Sequence, residues 1–393
     1  MKVFLKAFAL SILVTGVGIL TANAQDTTQT EICPDLEACV KMFSAELKKP
    51  ECDRGKAVEV GEFIAVKFAN DELNKELVAK VAARAAKEKE VVRICKREAK
   101  YNSTYKAKQW EDYFAVSKEI MNDPKTRENK PLLLDLTLTH TSALYDLVVA
   151  GNDKYTSETI SFSKTALQMI DSGIGSSTQK FGVFAPFNSR DNAISWLNYF
   201  VGYTYVVKLK DKDTGIPFIY KATRLGDKKT DSAAFAEIGY WYTGKATDLL
   251  AEYKKLVDAT EDKVATDEAK EKLGLARAYA DRAIDAFGRA KTLATDATKT
   301  TEYGDTLTEL YKIRFNGKVE GLDKYVSDMI ANPMPDPASA PAPVVLEGTT
   351  STTDTKQTTN TSTEPVKTGA AATAAKTSVT TVKKTTPRRS GNK

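Results

Sequence analysis

The stretch NDELNKELVAKVAARAAKEKEVVRIC, residues 70–95, determines the fold class of the chain. Its apolar residues recur at the spacing of one face of an α-helix. The polar residues at its start are typical of a helix N-terminus. We therefore predict one long helix that runs from residue 70 past residue 95. Its predicted buried stripe consists of Leu73, Leu77, Val78, Val81 and Ala82.

The same helical pattern recurs along most of the 393 residues. Residues 34–49 and 55–68 are two further predicted helices. Short breaks rich in Gly, Asn, Asp or Pro separate the later ones, for example at residues 211–215. Strand-like alternation is rare, and its best example, residues 218–220, is too short to form a sheet. The sequence therefore predicts an all-α protein.

The N-terminal 24 residues have the pattern of a secretory signal peptide. Lys2 and Lys6 precede an apolar run at residues 7–20, and small residues lead to a predicted cleavage after Ala24. The alternative is an uncleaved membrane anchor, but the run is shorter than the ~20 residues that cross a bilayer. We expect an exported protein, periplasmic or associated with the cell envelope, with no transmembrane segment after cleavage.

The composition of the chain changes at residue 333. A Pro/Ala-rich stretch leads into a Thr-, Ser-, Lys- and Ala-rich segment, and no aromatic residue follows Tyr325. Such a segment buries too little apolar surface to offset its chain entropy. Residues 333–393 are therefore predicted to be a disordered tail, and residues 25–332 the helical domain. The basic end of the tail favours weak contact with anionic envelope polymers. The alternative is that the tail is only a solubilising extension.

The formal net charge of the chain is +5. The N-terminal leader and the C-terminal tail together carry this excess, so the body between them is close to neutral. Proteins that bind nucleic acids usually present a strongly basic surface. We therefore predict no nucleic-acid partner.

The chain has four cysteines. An even number in an exported protein favours disulfides, and four cysteines allow three pairings. We prefer Cys33 with Cys39 and Cys52 with Cys95, since the second bond would join the start of one helix to the far end of the next. No Cys-x-x-Cys is present and His140 is the only histidine, so we predict no metal site and no cofactor.

Residues 283–293, AIDAFGRAKTL, place small residues around Phe287. This segment resembles the second helix of a tetratricopeptide (TPR) repeat, in which small residues let helices approach and an aromatic ring fills the gap. Further segments that resemble parts of the repeat are residues 108–124, 150–167 and 239–256. Tyr113 and Ile120 stand where the family has small residues. The chain thus resembles a degenerate TPR-like protein over residues 55–297.

The resemblance implies that helix pairs stack as a TPR-like α-solenoid. It also implies a non-catalytic scaffold that holds a peptide or protein partner on its concave face. Apart from the family, a single helix pair cannot bury both of its faces, so consecutive pairs are expected to stack. The alternative is an ordinary helical bundle without repeats.

Two aromatic segments are candidates for partner binding. In the first, Trp196, Tyr199, Phe200 and Tyr203 form one helical stripe, which is the spacing of a buried face. In the second, residues 240–242, three consecutive rings fan across about 200° of a helix, so at least one ring is expected to face solvent or a groove. The candidate binding residues are Trp196, Tyr199, Tyr203, Tyr240, Trp241 and Tyr242.

No grouping of side chains indicates catalysis. The lone His140 lies in an apolar helical segment, where we expect it to satisfy a local hydrogen bond, and most acids alternate with Lys as on solvated helix faces. We predict no catalytic residues. The preferred function is an exported, non-enzymatic scaffold for a peptide or protein. The alternative is a carbohydrate- or envelope-polymer-binding protein that uses exposed aromatic rings and the basic tail.

Overall fold

The structure is a computed structural model, and it describes residues 32–179 and 183–345. Within these ranges the chain forms thirteen α-helices, and the one β feature is an isolated bridge between Phe184 and Phe187. The all-α prediction is confirmed for the described residues. The predicted signal peptide and the tail from residue 346 onward lie outside them.

The helices follow one another with short connections. In chain order they are α1 (Leu36–Glu46), α2 (Gly55–Lys67), α3 (Lys75–Lys106), α4 (Trp110–Asn122), α5 (Pro124–Glu128), α6 (Lys130–Val149), α7 (Thr156–Asp171), α8 (Arg190–Tyr203), α9 (Lys212–Ala222), α10 (Ser232–Asp258), α11 (Asp267–Leu293), α12 (Ala297–Arg314) and α13 (Leu322–Ile330). A π-helical turn continues α8, and a 3₁₀ turn, Asp227–Thr230, precedes α10.

Two disulfides lie in the region of the first three helices. Cys33 is bonded to Cys39 with their Cα atoms 5.3 Å apart, and Cys52 is bonded to Cys95 with their Cα atoms 5.2 Å apart. The second bond joins the turn before α2 to the body of α3. Both Cα separations are ordinary for disulfides. The preferred cysteine pairing is confirmed.

The helix predicted from residue 70 begins later, because α3 starts at Lys75. Asp71 accepts a hydrogen bond from the backbone N–H of Asn74 at 3.1 Å, which stabilises a turn in place of a helix. Leu73 in this turn is 97% exposed and Leu77 is also exposed, so these two members of the predicted stripe are wrong. The residues that α3 does bury are Val78, Val81, Ala85, Glu88, Val92, Arg97 and Thr104.

The break predicted at residues 211–215 is instead the start of α9. Asp211 is the N-cap of this helix and accepts the backbone N–H of Thr214 at 3.0 Å. A Cβ on Gly215 would lie 2.8 Å from the carbonyl oxygen of Gly202 in α8, so the glycine allows the two helices to cross closely. Residue types that favour turns serve here as a helix cap and a helix contact.

Each helix packs mainly against its neighbours in chain order. α2 contacts α1 and α3, α6 contacts α4 and α7, α8 contacts α7 and α9, and α11 contacts α10, α12 and α13. The described residues bury their apolar side chains in successive clusters, from one around Phe43 near the N-terminus to one around Phe287 near the C-terminal end. The core is therefore built from contacts between neighbouring helices.

The contact between α10 and α11 depends on small residues. Ala283, Ala286 and Ala290 of α11 are fully buried beside Phe287. A Cβ on Gly239 of α10 would lie 2.7 Å from the Phe287 ring. The small residues of the segment 283–293 thus lie where a neighbouring helix approaches.

The packed chain is longer than predicted, since it extends to Val344 and not only to residue 332. Met334 is buried, and its carbonyl oxygen accepts a hydrogen bond from the Tyr220 hydroxyl at 3.0 Å. The backbone N–H of Val344 donates to the carbonyl of Gly274 in α11 at 3.0 Å. Composition did not reveal this segment. It is held by hydrogen bonds to its backbone and not by a large area of apolar side chains.

One described helix, α6, is long and apolar enough to cross a membrane by length and composition alone. This differs from the expectation that no segment after the leader has that character. However, 56% of its most apolar window is buried inside the protein, and Leu134, Leu138 and Leu144 are fully buried. A core helix that is mostly buried can be equally long and apolar without crossing a membrane.

Candidate functional site

The aromatic stripe of α8 divides between the core and a groove. Ser189 caps the helix by accepting the Asn192 backbone N–H at 3.1 Å. Further along the helix, Phe200 is buried and stacks on Tyr145 of α6 with their ring centroids 4.0 Å apart. Trp196 remains half-buried, so part of its ring is open to solvent.

A lysine that the sequence did not single out lies on two of these rings. The ammonium of Lys228 is 3.9 Å from the Trp196 ring centroid and 3.8 Å from that of Tyr199. Lys228 is buried, and Asp231 pairs with its ammonium at 2.6 Å. Cation–aromatic contacts contribute about 2 kcal/mol when desolvated, so the lysine holds the two rings in place.

The turn that carries Lys228 is positioned by a glycine and an asparagine. Gly226 has φ +53°, and a Cβ there would lie 2.8 Å from the Cα of Asn192. The Asn192 side-chain oxygen in turn accepts the Asp227 backbone N–H at 2.7 Å. A side chain at position 226 would therefore push the turn away from α8 and move Lys228 off the rings.

A cavity of about 450 Å³ lies between α6 and α8, and it is lined by Trp196, Tyr199 and Lys228 among others. We call this cavity the aromatic groove. Its lining residues are Ser142, Tyr145, Asp146, Val149, Phe187, Trp196, Tyr199, Phe200 and Lys228. Burial raises the pKa of the Asp146 carboxyl, and the positive charge of Lys108 partly opposes this. Burial also raises the pKa of the Tyr199 hydroxyl.

The aromatic groove can bind a ligand through non-covalent contacts. Its lining combines the surfaces of aromatic rings with the Tyr199 hydroxyl and the Asp146 carboxyl. Such a lining suits an apolar or aromatic side chain with a polar neighbour. The rings are already fixed by Lys228 and by packing on Tyr145, so a ligand loses little freedom on their side when it binds.

The second aromatic candidate, residues 240–242, lies in a different groove. Tyr240 is 37% exposed, which confirms that one ring of the three faces outward. The Trp241 indole N–H donates to Asp213 at 2.7 Å, and Lys245 pairs with the same carboxylate at 2.9 Å. These residues border a cavity of about 280 Å³ that shares no lining residue with the aromatic groove.

The remaining two candidates line neither groove. Tyr242 is 1% exposed and faces Tyr279 of α11, so it belongs to the core. Burial raises the pKa of its hydroxyl to about 12. Tyr203 is half-buried and packs edge-on against Tyr145, with their ring centroids 5.5 Å apart. Of the six candidates, the structure thus places Trp196 and Tyr199 together at the aromatic groove and Tyr240 and Trp241 together at the other cavity.

His140 is a core residue, and its expected hydrogen bond is made to a neighbouring helix. Its side chain is fully buried, and its Nδ1 atom lies 3.0 Å from the Ser117 hydroxyl. Its Nε2 atom has no hydrogen-bond partner among the residues that the structure describes. Burial, assisted by the charge of Lys118, lowers the pKa of the imidazole to about 3, so His140 is neutral at physiological pH.

Sequence reasoning missed Lys228, Asp146 and Tyr145. Nothing in the local pattern around these residues distinguishes them from other helix and turn residues. They reach the groove from α6 and from the turn before α10, and only the packing of α6 against the rest of the protein brings these parts of the chain together.

In the ranges that the structure describes, no group of three or more His, Cys, Asp or Glu residues is arranged to hold a metal ion. No protein-family model matches the chain, and no match was found among curated proteins or solved structures. The functional assignment therefore depends on the residues and their geometry.

Proposed function

We propose that the protein is an exported, non-enzymatic scaffold that binds a peptide or protein partner. The aromatic groove is its principal anchor site. The observation that carries the proposal is the pair of rings, Trp196 and Tyr199, held by the buried ammonium of Lys228 at the edge of an open cavity. Fixed Trp and Tyr side chains are the residues that most often dominate protein interfaces.

We also propose that the helices stack as a TPR-like solenoid. The order of helix contacts and the successive core clusters support this, because a solenoid packs each unit on its neighbours only. The close contact of Gly239 with Phe287 supports it too, since it joins small residues of one helix to an aromatic ring of the next.

The two disulfides support an oxidising compartment, and hence export to the periplasm or the cell envelope. Disulfides of this kind are rare in reducing cytoplasm. The predicted signal peptide agrees with the same compartment.

The carbohydrate alternative is less well supported by the groove. Sugar rings bind proteins by lying flat on aromatic faces, and here the ammonium of Lys228 occupies one face of Trp196 and one face of Tyr199. A sugar would have to stack on a remaining face or displace a lysine that is paired with Asp231.

A pull-down from envelope extract tests the proposed function. The mature chain is compared with Trp196→Ala and with Trp241→Ala, a matched control whose indole is also half-buried but borders the other groove. The captured polypeptide is identified by mass spectrometry, purified and titrated against all three proteins. We expect at least a tenfold weaker affinity for Trp196→Ala and little change for Trp241→Ala.

Equal losses in the two variants, or no loss in either, would contradict the role of the aromatic groove. Far-UV circular dichroism and urea denaturation show whether each variant is folded. Retention of polysaccharide alone, lost in about 0.5 M salt where the Debye length is only a few ångström, would favour the polymer-binding alternative.

A further inference from the structure

A further cavity, distinct from the aromatic groove and from the cavity beside Trp241, lies on the other side of α8 from the aromatic groove. Ile194 and Asn198 line it, and around the helix they project on average about 150° away from Trp196 and Tyr199. Its volume is about 690 Å³, within the range of small-molecule sites. We call it the cationic groove, and its lining residues are Lys164, Leu167, Gln168, Asp171, Ser172, Ile194, Asn198, Phe218, Lys221, Arg224 and Leu225.

The charge of this lining is unbalanced. It contains three cations, Lys164, Lys221 and Arg224, and one acid, Asp171. The ion pairs found among the described residues include none of these four side chains. The lining therefore carries a net charge of +2, and no carboxylate among the described residues forms an ion pair with its three cations.

Two of the cations lie near the same aromatic ring, Phe218. The Lys164 ammonium is 5.5 Å from the Phe218 ring centroid, and the Lys221 ammonium is 5.5 Å from the same centroid. Lys164 also donates a hydrogen bond to the Tyr205 hydroxyl at 3.3 Å. Two like charges near one ring repel each other, and an anion bound close to both would relieve that repulsion.

The surface between the cations is apolar. Leu167, Ile194, Phe218 and Leu225 are all half-buried, so each presents part of its side chain to the groove. Binding pockets commonly combine such an apolar floor with a few polar groups that orient the ligand. The groove thus matches a ligand with an apolar body and a negative head.

We propose that the cationic groove binds a small amphipathic anion, in which a carboxylate or sulfonate is joined to an apolar chain or ring. The anionic head pairs with Lys164, Lys221 and Arg224, and the apolar body lies on Phe218 and its neighbours. The chain's own C-terminal segment does not have this chemistry, since residues 346–393 contain eight Lys or Arg and only three acids. The site is separate from the aromatic groove and does not depend on the proposed scaffold function.

Anilinonaphthalene sulfonate, an aromatic anion whose fluorescence rises in apolar sites, is the probe. The mature chain is titrated at low salt beside the double variant Lys164→Glu with Lys221→Glu. The matched control is Lys87→Glu with Lys254→Glu, which makes the same change in net charge at exposed lysines outside both grooves. We expect about tenfold weaker binding in the first double variant and less than twofold in the control.

Competition identifies the chemistry of the bound molecule. Octanoate should displace the probe, whereas octanol, which has the same chain without the charge, should not at equal concentration. Displacement by octanol as readily as by octanoate would overturn the proposal, because the charge would then play no part. Equal weakening in both double variants would also overturn it, since general attraction of an anion would explain the result.

Two further variants keep the outcome clear. Lys221→Gln removes one positive charge without adding a negative one. It replaces the double variant if circular dichroism shows that the double variant is unfolded. We expect it to weaken probe binding about threefold. Trp196→Ala should leave octanoate-sensitive binding unchanged. Loss of that binding in Trp196→Ala would place the probe in the aromatic groove and refute the assignment, whatever the fate of the scaffold proposal.

Discussion

A single methyl group at Gly239 tests how closely α10 and α11 pack. A Cβ at this buried position would lie 2.7 Å from two atoms of the Phe287 ring. Phe287 is itself fully buried, so the ring has no free space to move into. Overpacking of this kind costs about 1–3 kcal/mol, which exceeds the higher helix propensity of alanine. Gly239→Ala is therefore expected to lower the free energy of unfolding.

Gly244 provides a matched control in the same helix. It is exposed, and a Cβ there would meet no atom within 4 Å. Gly244→Ala is expected to raise the free energy of unfolding by up to about 1 kcal/mol, because alanine favours the helix. Urea denaturation followed by far-UV circular dichroism measures both variants. A stabilised Gly239→Ala protein, or equal effects of the two substitutions, would refute the close helix contact.

Two further predictions concern pH and the disulfides. Because burial lowers the folded-state pKa of His140 from 6.5 to about 3, the unfolded chain gains a proton that the folded chain does not as the pH falls below 6.5. The wild-type protein should thus lose about 2.5 kcal/mol of stability between pH 7 and pH 4.5 relative to His140→Gln, and a pH-independent difference between the two in urea denaturation would contradict this. Replacement of Cys52 and Cys95 by Ser opens a link across a sequence separation of 43 residues and should cost about 4 kcal/mol. Replacement of Cys33 and Cys39, separated by 6, should cost about 2 kcal/mol, and the reverse order of losses in non-reducing denaturation would show that chain entropy does not govern these bonds.

The sequence was most informative where local spacing decides the structure. Helical periodicity predicted the all-α fold, and the resemblance of residues 283–293 to a TPR helix implied a close helix contact there. The buried state of His140 also followed from its apolar surroundings. Each of these properties depends on residues within a few turns of one helix, which is the range that a sequence pattern covers.

Local patterns failed where a side chain or turn competes with the helix. Asp71 caps a turn and delays the start of α3, and Asp211 caps α9 where a break was predicted. The segment that reaches Val344 is held by backbone hydrogen bonds, which composition does not record. At Asp71 and Asp211, the outcome depends on whether the side chain's hydrogen bond to the backbone favours a turn or a helix start.

By itself, the sequence determined the helical class and the two aromatic segments, because both are local properties. It indicated, but did not decide, how the cysteines pair. Tertiary structure alone decided that Trp196 borders one open groove and Trp241 another. It also decided that the Lys228 ammonium lies over the Trp196 ring. It also placed Lys164 and Lys221 at one ring, although α8 lies between their helices in the chain. These are contacts between distant parts of the chain, and they form only when packing of the helix faces selects one arrangement from many with the same local pattern.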